Sequence, residues 1–230
     1  MVRIRFGSIA TLGPVSGPVK KRRYDSSRRR AAAEETRAAV LVAARDLFVG
    51  QGYAATSVAD IAAAAGVSVD TLYAAVGRKP QLLLAVHDME LAEGDVPLAA
   101  EQRGYVQDVR AAVGAAAKIA VYAAALGRVL PRTVPLLEAL RVAGQSDEAC
   151  RAVHAAVNER RAAHMRLFAA DLRATGELRD DLDDDAVADL VWTMNGPDYY
   201  LLVRSRGRSA TDYADLVRDV WTRTLIARPD

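Results

Sequence analysis

Apolar residues recur at helical spacing along most of the chain. Val40, Leu41, Ala44, Leu47 and Phe48 form one stripe of a predicted helix over about 27–49, ended by Gly50 and Gly52. Val58, Ile61, Ala62 and Ala65 predict a short helix that Thr56 or Ser57 can open. Gly66 closes it, where a left-handed residue ends a helix cheaply. Val67 is the pivot of the turn, and Ser68 caps a second short helix with Asp70 in its first turn, where a carboxylate favours the dipole. Leu72 and Val76 face inward; Val69, Thr71, Tyr73 and Ala74 are left to face outward. Two short helices across a tight turn are the unit that lays a helix in the DNA major groove. A further helix starts at Pro80, carries Leu82, Leu83, Val86 and Met89, and loses its pattern between Gly94 and Pro97.

The rest of the chain continues the pattern. Helices are predicted over about 105–126, 131–143 and 147–175, the last with Val153, Val157, His164, Phe168 and Leu172 along one face. The next, about 185–205, should kink at Gly196-Pro197, since proline removes a backbone hydrogen bond. The last runs to about 227 with Tyr213, Leu216, Val217, Val220, Trp221, Thr224 and Leu225 on a stripe too wide and too aromatic for a surface helix. Asp180 to Asp185 reads as a solvated turn whose last aspartates cap the following helix rather than as a cation site. No window alternates long enough for a strand, so the fold is expected to be all-α.

A chain of 230 residues can bury a substantial core in one or two domains. No apolar run approaches the roughly 20 residues of a membrane span. The first 18 residues, broken by Gly7, Gly13, Pro14 and Gly17, make a poor signal peptide, and the single Cys150 fits a reducing cytoplasm. Charge sharpens the picture. Residues 1–80 carry 13 Lys+Arg against 6 Asp+Glu, a balance of +7, whereas residues 81–230 carry 18 against 23, a balance of −5. The positive share lies with the helix pair, as phosphate binding requires. Residues 1–26 read as a flexible arm whose cluster Lys20, Lys21, Arg22 and Arg23 either contacts phosphate or the minor groove or is a solvated tail.

Catalysis finds little support. The three histidines, His87, His154 and His164, lie at no metal-ligand spacing with one another or with Cys150, and there is no phosphate loop or nucleophile elbow. His87-Asp88 with Glu90 is the nearest acid–base cluster, and helix neighbours face different ways. No catalytic residue, metal or cofactor is expected. A protein-interaction adaptor is the other class in competition, its basic residues then being incidental.

Over about residues 34–85 the chain resembles the tetracycline-repressor (TetR) family of bacterial transcription regulators. The resemblance rests on Arg37, Ala44 with Leu47-Phe48, Gly52-Tyr53, Thr56-Ser57-Val58, Asp60-Ile61-Ala62, Ala65-Gly66-Val67-Ser68, Thr71-Leu72-Tyr73, Lys79 and Leu82-Leu83. It implies a helix-turn-helix head over 27–79, joined to a helical ligand-binding and dimerisation body over 80–228. It implies a cytoplasmic homodimer on a palindromic DNA operator, acting as a repressor released by a small effector; an activator on the same scaffold is the alternative. Thr56 should cap its helix and touch a phosphate. Ser68, Val69, Asp70, Thr71 and Ala74 should lie at the DNA, and Tyr73, Arg78 and Lys79 should meet phosphates. The family's usual histidine and phenylalanine after Tyr73 are Ala75 and Val76 here, and the recognition helix offers no Arg, Asn or Gln for bidentate base contacts, so phosphates and DNA shape should carry much of the affinity. The effector pocket is expected among Tyr122, Arg128, His154, His164, Trp192, Met194 and Tyr199. The dimer interface is expected at Leu190, Tyr213, Leu216, Val217, Val220, Trp221, Thr224 and Leu225.

Overall fold

The computed structural model describes residues 24–227. Four helices come first: α1 (Tyr24–Gln51), α2 (Val58–Ala64), α3 (Val69–Ala75) and α4 (Lys79–Ala92). A 3-10 turn (Ala100–Gln102) leads to α5 (Gly104–Ala111) and the two long helices α6 (Ala115–Ala143) and α7 (Glu148–Arg173). The chain closes with α8 (Asp184–Met194), α9 (Pro197–Ser205) and α10 (Ala210–Leu225). The one β feature among the described residues is an isolated bridge between Leu178 and Ile226. Lys20, Lys21, Arg22 and Arg23 lie outside the described residues. Because α1 already begins at Tyr24, the boundary expected at residue 26 falls inside a helix.

Two apolar cores result. The stripe Val40, Leu41 and Phe48 of α1 closes on Ile61 and Leu72 and on Leu82, Leu83, Val86 and Met89 of α4. This core reaches into the body through Leu136 and Leu140 of α6 and Cys150 of α7, so α4 is packed by head and body at once. The second core lies among α5–α10, around Ile119, Tyr122, Phe168, Leu172, Tyr213 and Trp221.

Three features of the body differ from the sequence expectation. The stretch expected to be two helices divided before Pro131 is one helix that contains both Pro131 and Pro135. Each proline removes one backbone donor, but this helix is packed along most of its length, and tertiary burial outweighs the local penalty. The break falls earlier, at Gly114 (φ +82°), where the Glu177 carboxylate accepts a 2.7 Å hydrogen bond from Ala115 N and caps α6 from a distant loop. At Gly196-Pro197 the expected kink is a full break: Gly196 occupies the N-cap position of α9 and Pro197 its first turn. Asp183, in the acidic loop, caps α8 by accepting from Ala186 N at 2.7 Å.

The third difference concerns α10. Tyr213, Val217, Trp221 and Leu225 were expected at a subunit interface, yet all four are fully buried inside a single chain. Tyr213 donates its hydroxyl to Met194 O at 2.6 Å, and Trp221 stacks on Tyr122 with centroids 5.8 Å apart. The wide stripe is explained by α6: at Gly127 the two helices approach so closely that a Cβ would sit 3.0 Å from that of Ala214. Leu190, Leu216, Val220 and Thr224 remain half-buried, with part of their surface open.

Candidate nucleic-acid interface and body cavity

The head is fixed by caps written into the sequence. Ser57 opens α2 in a reciprocal capping box, Asp60 N donating to Ser57 Oγ at 3.1 Å and Ser57 N to the Asp60 carboxylate at 2.9 Å. Ser68 caps α3 by accepting from Thr71 N at 3.1 Å. Gly66 lies between them at φ +67°, which only glycine adopts without strain. Thr56 departs from its expected role. It is 1% exposed and donates its hydroxyl to Gly52 O at 2.8 Å, so it holds the α1–α2 loop and has no surface to offer a phosphate.

On α3, Asp70, Thr71, Tyr73 and Ala74 are exposed, as is Ser68 at its cap, while Leu72 is fully buried beneath them. Val69 is half-buried and packs against the head core, which leaves it less surface for base contact than its exposed neighbours. Thr71 Oγ1 lies 2.8 Å from Ser68 Oγ. Beyond the helix, Arg78 is exposed at the N-cap of α4, and Lys79 Nζ stands 4.1 Å over the Tyr53 ring. Burial holds the Lys79 ammonium somewhat below its usual pKa. Arg37, from α1, donates to Ala75 O at 2.7 Å and ties down the C-terminal end of α3.

The body holds a cavity of about 240 Å³ between α4, α5, α6 and α7. Its walls are mostly apolar, with Val109, Leu126, Val129, Leu130, Met165 and Phe168 among them. The polar wall carries Arg103, Arg160 and Arg161, with an ionic cluster behind it. Asp88 of α4 accepts from Arg160 of α7 through both oxygens, at 2.6 and 3.0 Å, and lies 3.7 Å from Arg103. Burial pushes the Asp88 carboxyl up, but hydrogen bonds from His87 and Arg160 outweigh it and hold the group below the usual carboxylate range. Burial pushes His87 and His164 down, so both imidazoles are neutral near pH 7. Arg161 donates to Asn195 at 2.6 Å, to Asn158 at 3.1 Å and to Trp192 O at 3.3 Å, close to where α8 stops. Asn195 in turn donates to the Tyr122 hydroxyl at 2.9 Å.

Of the residues expected to form a pocket, Tyr122 and His164 line this cavity. The others do not. Arg128 pairs on the surface with Glu93 at 3.1 Å, and His154 faces Asn158 at 3.5 Å. Trp192 lies outside with Arg161 over its ring, Met194 is core, and Tyr199 packs on Tyr213. Sequence reasoning missed Arg103, Arg160, Arg161 and Asn195. The adjacent Arg160-Arg161 pair was the available signal, but the contact of Arg160 with Asp88 of α4 is seen only in the structure. Among the described residues no group of His, Cys, Asp and Glu is arranged to hold a metal ion.

Comparison with known proteins agrees with this geometry. Residues 40–86 match the sequence model of bacterial regulatory proteins, tetR family. No curated protein matches the chain. Among solved structures, a TetR-family transcriptional regulator from Rhodococcus sp. is 21% identical, with TM-score 0.63, covering 84% of this chain and 99% of its own. A structure from Saccharomonospora viridis, described as a transcriptional regulator in complex with choline, is 18% identical with TM-score 0.64, covering 85% and 100%. Full-length TylP, a TetR regulator from Streptomyces fradiae, is 25% identical with TM-score 0.55, covering 86% and 89%. Residues 40–86 thus carry the sequence pattern of the tetR-family DNA-binding segment, and the helical chain as a whole shares the fold of solved TetR-family regulators.

Proposed function

We propose that the chain is a DNA-binding transcriptional repressor that works as a homodimer on a palindromic operator and is released by a small effector in the body cavity. The observation that carries the reading is the position of α4. It begins at the head beside the exposed end of α3 and later presents His87 and Leu91 to the cavity. A ligand that binds better to one placement of α4 therefore biases the spacing of two recognition helices. The similar fold of a regulator crystallised with choline supports the binding of a small molecule by this fold. Dimerisation is assigned to the outer surface of α8–α10. Trp192, Leu201 and Leu202 are exposed there, and Leu190, Leu216 and Val220 are partly so.

The proposed units are a DNA-binding head to about residue 79 and a ligand-binding and dimerisation body from about residue 80. Gel shifts with the chain's own upstream DNA test the reading. A retarded complex that weakens as salt rises, with two chains per duplex, is expected. Absence of any complex at low salt would favour the adaptor alternative, and activation in a reporter assay would replace the repressor role with that of an activator.

A further inference from the structure

We propose that the body cavity takes a small organic monocarboxylate, its carboxylate at the wall formed by Arg103, Arg160 and Arg161 and its hydrocarbon part against α5, α6 and α7. This rests on the effector-cavity reading above and gives it a chemical class. Four arginines line the cavity, and of the three at this wall, Arg103 and Arg160 share Asp88, which stands behind the lining. Arg161 has three hydrogen-bond partners and none is charged: the two asparagine oxygens and a backbone carbonyl. These bonds leave part of its donor set free.

The other ionic groups at the cavity do not offset this excess. Asp171 is paired to Lys118 at 2.9 Å, and Glu101 and Arg110 are exposed. No carboxylate pairs directly with the half-buried Arg161, on which Asp198 acts only without a hydrogen bond, and an entering anion would offset the cost of its burial. A planar guanidinium fits a carboxylate better than other anions of similar size, through paired N–H donors. The position of Arg161 is built into the fold. A Cβ on Gly196 would sit 3.0 Å from Arg161 Nη2, so the glycine at the α8–α9 break leaves room for the guanidinium. Most of the remaining wall is hydrocarbon, with His87, Thr133, His164 and Asn195 as separate polar points, which suits an acid with an apolar part better than an inorganic ion. The volume of about 240 Å³ lies below the roughly 300–1,000 Å³ of drug-sized sites, which points to a small acid.

The test is calorimetric titration of the full chain with butanoate, octanoate, benzoate and phenylacetate, each beside its amide and its amine analogue. At least one acid is expected to bind one per chain, about tenfold or more tighter than its amide, with no heat from the amine. Arg161→Gln is expected to reduce that preference about tenfold, and Arg161→Lys to retain part of it. If Arg161→Gln does not fold, the acid-to-amide ratio of the unaltered chain still decides. An amide or amine that binds as tightly as its acid overturns the carboxylate assignment. If Leu130→Trp, which fills the cavity, also abolishes that binding, the effector reading survives. If no compound of any charge binds, the carboxylate assignment fails, and the effector reading is then judged separately by release of DNA from the gel-shift complex.

Discussion

Arg37 of α1 holds the carbonyl of Ala75, the last residue of α3, with a 2.7 Å hydrogen bond. Ala75 stands where the family more often carries histidine, so its side chain contributes little. The backbone contact secures the recognition helix instead, together with the half-buried Val76 beneath it. Arg37→Ala should cost about 1–3 kcal/mol of stability, as expected for a partly buried bond to a charged donor. It should also weaken DNA binding by loosening α3. Thermal melting and fluorescence anisotropy on one duplex check both.

Tyr73 is 44% exposed on the outer face of α3, and Lys79 stands over Tyr53 at the start of α4. Tyr73→Phe combined with Lys79→Ala should weaken binding to all duplexes alike, by about tenfold, and flatten the salt dependence by about one unit of slope. Measuring affinity for several unrelated duplexes across a salt series checks this. Selective loss on a single sequence would make these residues base readers.

Assembly and folding should separate by mutation. Leu202, 63% exposed on α9, is expected at the subunit contact, so Leu202→Asp should yield folded monomers by sedimentation. Trp221→Asp should instead unfold the chain, because it places a carboxylate in a fully buried aromatic cluster at a cost of several kcal/mol. A folded monomer from the Trp221 variant would contradict the packing of α10 on α6.

The closest crossing of α6 and α10 offers a sharper check. Gly127→Ala places a methyl 3.0 Å from Ala214 Cβ and 3.2 Å from Ala210 O. The expected loss is about 1–3 kcal/mol, seen as a lowered urea midpoint with an unchanged slope.

His87 is fully surrounded, by Asp88, which favours its charge, and by Arg160 and Arg103, which oppose it, and burial decides the outcome by pushing its pKa down. The folded chain therefore binds a proton less readily than the unfolded one. The associated stability is present above the unfolded value of about 6.5 and is lost as pH falls below it toward the folded value. His164 shifts in the same direction. The melting temperature should fall between pH 7.5 and 5.5, and less steeply in His87→Gln.

Local signals were legible in the sequence, and contacts between distant helices were not. Ser57 with Asp60, Ser68 and Gly66 announced the helix-turn-helix because caps and left-handed turns depend on a few adjacent residues. Thr56 looked equivalent to Ser57 as a cap. Only the loop geometry shows its hydroxyl turned to Gly52. The ionic cluster behind the cavity joins Asp88, Arg103 and Arg160 from three segments, and no spacing rule connects them. The aromatic stripe of α10 was correctly read as buried, but periodicity cannot distinguish burial against α6 from burial against a second chain.

That distinction has a consequence for the order of events at synthesis. With Tyr213, Val217, Trp221 and Leu225 enclosed by their own chain, the protomer completes its interior without a companion. A newly made chain can then fold alone at low concentration, and the proposed pairing of two chains follows folding rather than driving it. Diluted until it is monomeric by sedimentation, the chain should keep its helical circular dichroism, unlike dimers whose subunits complete a shared core.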